Sequence, residues 1–236
     1  MRTADPRLTL FFFLLTLAIF VVMGRYFPAE LAIPLEGSTI RPVLLLEFAQ
    51  SHQHLLHVFG EPGDPERAGR IAGMNTGNAL DYLLMPAYAF LNFCFFSMIA
   101  EERSARIWRV FGWMGVAAAL ADAVENALMF DIVGQFVTDT STSYAAMAWL
   151  PFPVWLKFGL LALCCGAAGV AFALERRWIL ALLSAPAPLL LLPAILDPMG
   201  IGPVATGTIG LGWLAMAAYA AWRWYRGMAR PAQSKL

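Results

Sequence analysis

The sequence predicts an all-α protein, a polytopic transmembrane helical bundle of six spans. Three observations lead there. Hydrophobic residues make up 60% of the 236 and charged residues 14%, with a mean hydropathy of +0.65. Soluble domains are roughly 45–50% apolar and about 25% charged. Six apolar runs approach or exceed the ~20 helical residues that a bilayer core requires. The basic residues, finally, gather in alternate connections between those runs.

The same composition excludes other classes. Sixteen basic and sixteen acidic residues cancel, which leaves no strong attraction for nucleic acid. Cys94, Cys164 and Cys165 all lie inside apolar runs and form no disulfide framework. Disordered, collagen-like, zinc-ribbon and small secreted folds do not fit. The chain reads as a single integral membrane domain over 1–236.

The spans are residues 8–24, 81–100, 107–130, 152–174, 178–196 and 203–222. They are continuous apolar runs and lack the short alternation of barrel strands. The first follows Arg2 and Arg7, as a secretory signal would. The stretch Val22-Met23-Gly24-Arg25-Tyr26 lacks a small-x-small cleavage site, so a retained helix is expected; cleavage would leave five spans. Arg2, Arg7, Arg103, Arg106, Arg109, Arg176, Arg177, Arg223, Arg226, Arg230 and Lys235 fall on one side. Arg25, Arg41, Arg67 and Arg70 fall on the other, all in one loop. Both termini are therefore expected in the cytoplasm, with 223–236 as a cytoplasmic tail.

The extracytoplasmic loop 25–80 is too apolar to be an idle linker. Pro42 opens and Gly60 closes an amphipathic helix, with Glu47, Gln50, Ser51 and His54 opposite Leu44, Leu45, Phe48, Leu55 and Phe59. That helix is expected in the interface or over the outer mouth of the bundle. A second short helix is expected after Asp64, with Pro65 in its first turn. No internal repeat relates the two halves.

Polar residues at membrane depth are costly and mark function. Asp122, Glu125 and Asn126 sit at i, i+3 and i+4, hence on one helix face. Two carboxyls so close, in low dielectric, hinder each other's ionisation, so one is expected to keep its proton. Gly115, Ala119 and Ala123 form a small-residue ridge beside them. Asp81, Tyr88 and Asn92 form one stripe, since offsets of seven and eleven residues return to within about 20°. Lys157 lies roughly 8 Å below the outer end of its helix. With Thr206 and Thr208, these groups are expected around an outward-facing polar pocket roofed by the 42–60 helix.

Each has a plainer reading. Asn78 and Asp81 resemble a helix-start capping pair. Lys157 is near enough to the edge to snorkel past Trp149 and Trp155. Asp122, Glu125 and Asn126 could be packing glue paired with Lys157. Asp131, Asp139 and Asp197 read as loop and helix-end residues. Tyr26, Trp149, Trp155, Trp178, Trp222, Trp224 and Tyr225 read as aromatic belts. His52, His54 and His57, with Glu47, carry no HExxH or other recognised ligand pattern, and no metal is assigned to them. Cys164 and Cys165 are expected only to pack. A retinal-type Schiff base is rejected, because Lys157 lies in span four of six. No cofactor is expected.

The set Asp81-Tyr82, Tyr88, Asp122-Ala123-Val124-Glu125-Asn126 and Lys157-Phe158 resembles that of a loose group of small, uncharacterised bacterial multi-span membrane proteins with an Asp-x-x-Glu-Asn motif in a central helix. The resemblance covers spans two to four. It brings no activity and supports only the view that these polar positions belong together; the bacterial inner membrane is the expected location.

Three functions compete. The first is a membrane-embedded enzyme acting on a lipid or other hydrophobic substrate by acid–base chemistry. Glu125 would be acid or base, Asp122 its partner and Lys157 the charge balance. Asn126, Asp81, Tyr88, Asn92, Glu47 and His54 would position the substrate. The second is a non-catalytic scaffold or assembly subunit. The third is a proton-coupled small-solute transporter, favoured by Pro186, Pro188 and Pro193 in span five and opposed by the lack of polar groups in the inner half. Membrane lipid is the expected partner, and a homo-oligomer is compatible with the sequence.

Overall fold

The computed structural model describes residues 4–138 and 144–229; Arg2, Asp139, Arg230 and Lys235, used above, lie outside the described residues. Every regular element among the described residues is a helix. In order they are α1 Pro6–Met23, α2 Pro42–Glu47, α3 His52–Phe59, α4 Arg67–Glu102, α5 Trp108–Thr138, α6 Ala145–Trp149, α7 Pro151–Leu174, α8 Trp178–Ser184, α9 Pro186–Leu196 and α10 Gly202–Ala229. Among the described residues five stretches are long and apolar enough to cross a membrane: α1, α4, 145–174, 178–196 and 202–228. Helix α5 is 31 residues long, but Asp122, Glu125 and Asp131 lower its apolar character.

Helix α1 starts where Asp5 accepts a hydrogen bond from the Arg7 N–H, ahead of Pro6 at the first turn. It leans on α4 through the stacked Phe12 and Phe90 rings, 5.1 Å apart. Helices α4 and α5 approach closely because Gly115 has no Cβ; one placed there would lie 2.5 Å from the Asn92 Cβ. Helix α7 packs on α5, while Gly166 and Gly169 admit Pro188 and Ser184 from the proline-broken pair α8 and α9.

Four expectations change. The short helix after Asp64 and the span at 81–100 are one helix, α4, of 36 residues and therefore about 54 Å. Asp64 braces its start, accepting bonds from the Glu66 N–H (2.8 Å) and the Arg70 guanidinium (2.7 Å). That guanidinium holds the part-buried Asp64 carboxyl below its ordinary range. Asn78 and Asp81 consequently sit well inside α4 and cap nothing.

The amphipathic helix expected over 42–60 is two helices. Ser51, extended at φ −152° and ψ 158°, accepts from the His54 N–H and restarts the chain as α3. A serine that caps a new helix competes with continuation of the old one. Gly60 ends α3 at φ +94°, a conformation that favours glycine. Both helices bury their apolar faces: Leu45, Leu46, Leu55, Val58 and Phe59 share a core with Phe136, Met147 and Val154.

Of the three prolines in span five, Pro186 alone breaks the helix, with α8 ending at Ser184; Pro188 and Pro193 lie within α9. The aromatic belt also divides. Tyr26, Trp149, Trp178, Trp224 and Tyr225 are exposed. Trp155 instead stacks on Phe48, and Trp222 lies under the guanidinium of Arg177, 3.3 Å from its ring centroid.

Candidate functional site

The polar residues of α4, α5 and α7 meet. Pro151 opens α7, and Lys157 follows on its second turn, buried at 6% exposure. Its ammonium donates to Glu125 Oε1 at 2.8 Å and to Asp122 Oδ1 at 3.2 Å. Glu47, the last residue of α2, brings Oε1 to 3.8 Å from the same nitrogen. The Phe158 ring lies 4.4 Å away. Tyr88 donates to Asp122 Oδ2 at 2.8 Å and stacks on Trp213. Asn126 donates to Asp81 Oδ2 at 2.9 Å and to the Asn78 carbonyl at 3.2 Å.

These contacts decide between the earlier alternatives. Lys157 does not snorkel, because its ammonium turns inward to two carboxylates. Asp81 receives Asn126 across the helix pair. The expected open hollow is closed: Glu125 and Asn126 have 0% exposure and Asp122 3%. Glu47 reaches the group from the 42–60 segment, carried by α2 and not by the continuous helix expected there.

Two expected members stand apart. Asn92 donates back to the Tyr88 carbonyl of its own helix and abuts Gly115. His54 accepts from the Gln50 N–H at 3.2 Å, while burial and neighbouring His57 hold its imidazole below the ordinary value. His52 pairs with Tyr144 and His57 with the Ile33 carbonyl. Among the described residues no three metal-ligating side chains gather. Thr206 and Thr208 bond carbonyls of their own helix. Cys164 and Cys165 are buried with carbonyl partners Phe111 and Ile209. Asp131 accepts from Gln135, and Asp197 from the Gly200 N–H.

The charge count of the cluster does not close. Glu47, Asp122 and Glu125 share one ammonium, and Asp81 joins the group only through Asn126. Burial raises the Glu47 carboxyl above its ordinary 4.5, against the pull of Lys157. Glu125 Oε2, Glu47 Oε2, Asn126 Oδ1, Asn92 Oδ1 and Asn78 Nδ2 are buried and find no hydrogen-bond partner. Each such orphan costs about 1–3 kcal/mol. A cluster that served packing alone would satisfy its members.

A second polar node was not foreseen. At the other end of the bundle Tyr219, wholly buried on α10, places its hydroxyl 2.7 Å from Glu102 Oε2 and 2.9 Å from Glu175 Oε1. Arg223 pairs with Glu102 at 2.6 Å, and Arg103 and Arg177 with Glu175 at 3.4 Å each. Between the two nodes lie Phe95, Phe96 and Phe172, all at 0% exposure. The available signal was an acidic residue at the end of two spans with a tyrosine facing them from a third.

Fold and site define a helical chain with membrane-length helices and a buried acid–lysine group between three of them. No family model matches the chain, and neither a curated protein nor a solved structure matches it.

Proposed function

We propose that this is a six-span inner-membrane protein in which α5 is the central crossing, and that the Glu125–Lys157–Asp122 group performs proton transfer on a lipid or other hydrophobic substrate. Both termini are cytoplasmic in this reading, and α2 with α3 forms an outer cap. The observation that carries it is Glu125: one oxygen is held by Lys157 and the other is buried without a partner. A carboxyl held in place with a free lone pair is poised to give or take a proton. Asp122, bonded by both Lys157 and Tyr88, keeps the ammonium in position. Substrate enters when Glu47 and its helix lift away.

The test uses the full chain purified in detergent with a membrane lipid extract. Wild type should change the composition of a lipid pool. Glu125→Gln should abolish the change while thermal unfolding and helicity stay near wild type. Unaltered turnover by Glu125→Gln would end this reading.

Proton-coupled transport is the second reading, favoured by the Tyr219 node. It supplies polar groups in the inner half, with an aromatic layer separating the two ends. Proteoliposome uptake driven by a pH gradient and lost in both Glu125→Gln and Tyr219→Phe would select it over the enzyme.

A further inference from the structure

At the end of the bundle that carries Glu102 and Tyr219, a cavity of about 290 Å³ opens between the start of α1 and the end of α10. Arg7, Arg223 and Trp224 line it, together with Asp5. The Arg7 guanidinium is exposed and, among the described residues, has no carboxylate partner; its neighbour is the Trp224 ring, 5.9 Å from the centroid. Arg223 is anchored through Nε to Glu102 at 2.6 Å, so its position is fixed from behind. Asp5 accepts the Arg7 backbone N–H at 2.9 Å and sits at the positive end of the α1 dipole.

Two guanidiniums beside an indole define a chemistry. The planar forks suit phosphate oxygens, and tryptophan favours the level where headgroup meets acyl chain. Phe11 and Leu14, exposed at 56% and 60%, continue the apolar face of α1 away from the cavity. Arg177 and Arg226, both over Trp222, keep this end positive.

We propose that this cavity seats the phosphate of an anionic phospholipid, with Arg7 and Arg223 on the phosphate and Trp224 beside the glycerol. Basic pockets at the cytoplasmic ends of spanning helices recognise anionic headgroups in this way. The proposal rests on α1 and α10 being spans and is independent of the chemistry at Glu125.

The experiment titrates the full chain, in neutral detergent micelles, with spin-labelled phosphatidylglycerol, then with phosphatidylcholine and with inorganic phosphate as competitors. Phosphatidylglycerol should bind more tightly than phosphatidylcholine. Arg7→Gln should weaken it about fivefold, the contribution of one basic residue at a membrane surface, and Arg7→Lys should keep most of the affinity. Asp131→Asn, at an exposed position of α5 outside both polar groups, should bind it as wild type does. Equal binding of the two lipids, or no effect of Arg7→Gln, overturns the proposal. Displacement of the lipid by an equal concentration of phosphate also overturns it, because the site would then belong to a soluble anion. Water-side labelling of a cysteine placed at Leu14 would sink the span assignment itself, whichever way the titration falls.

Discussion

Lys157→Met removes the one cation of the buried cluster and keeps a side chain of similar length. Glu125 and Asp122 lie 2.8 and 3.2 Å from the ammonium, and their side chains are 0% and 4% exposed. Neither can turn to water. Removing one partner of a buried pair costs about 3–5 kcal/mol, because the other charge is left uncompensated. At about 1.4 kcal/mol per factor of ten, the folded-to-unfolded ratio falls by roughly two to four powers of ten. The lost contact with Phe158 adds little, about 0.5–2 kcal/mol at most.

The measurement is reversible unfolding in mixed micelles, followed by helicity, for wild type, Lys157→Met, Glu125→Gln and the double variant. In Lys157→Met the penalty belongs to the ionised carboxyls, so the deficit should widen as pH rises. Adding Glu125→Gln should recover most of the loss, since it neutralises the nearest acid. Adding Glu47→Gln should recover less, because Glu47 stands off at 3.8 Å. A Lys157→Met protein within about 0.5 kcal/mol of wild type would refute the reasoning, that being the ordinary spread for inconsequential changes. So would a Glu125→Gln change that fails to rescue it.

Three further outcomes follow from particular contacts. Gly115→Ala puts a Cβ 2.5 Å from the Asn92 Cβ, so α4 and α5 must part; thermal unfolding should show a loss of about 1–3 kcal/mol, relieved by Asn92→Gly. Glu47 has its carboxyl raised in the closed state, so closure of α2 is fully supported below the ordinary value of 4.5 and weakens as pH rises through the raised one. Hydrogen-exchange protection of residues 45–48 should therefore fall with rising pH in wild type and stay flat in Glu47→Gln. Tyr219→Phe removes the hydroxyl shared by Glu102 and Glu175; a loss of about 1.5–3 kcal/mol is expected for a bond to a charged group, and a loss under 0.5 kcal/mol would contradict the geometry.

Hydropathy marks where a chain is apolar, and a helix stops where its backbone groups find other partners. The two limits coincide for α1 and α7 and part company at α4. Residues 67–80 are too polar to register as a span, yet they are helical, with Asp64 and Arg70 bracing the start. Asn78 and Asp81 deceived for the same reason, since an i, i+3 polar pair has one spacing at a helix start and in its middle. Periodicity did find Asp122, Glu125 and Asn126 on one face, and Asp81 with Tyr88 on another. It failed for Asn92 because angle is only half of position. Asn92 lies eleven residues beyond Asp81, about 16 Å along the axis, and so below the level where Lys157 enters. The Tyr219 node depends on segments far apart in the chain, for which one sequence offers no angle to compute.

Where the sequence offered Lys157 as the charge balance, the structure gathers more carboxyls than it can match, and that bears on the choice between functional and structural readings. Packing glue would be as stable with each carboxyl matched, whereas here three carboxyls share Lys157 and two buried carboxyl oxygens, on Glu47 and Glu125, stay bare. The proposed function accounts for that cost, because Glu125 acts only once the cluster opens. In that reading the lifting of Glu47, 3.8 Å from Lys157, uncovers Glu125, which ties the pH dependence of the cap to access to the acid beneath it.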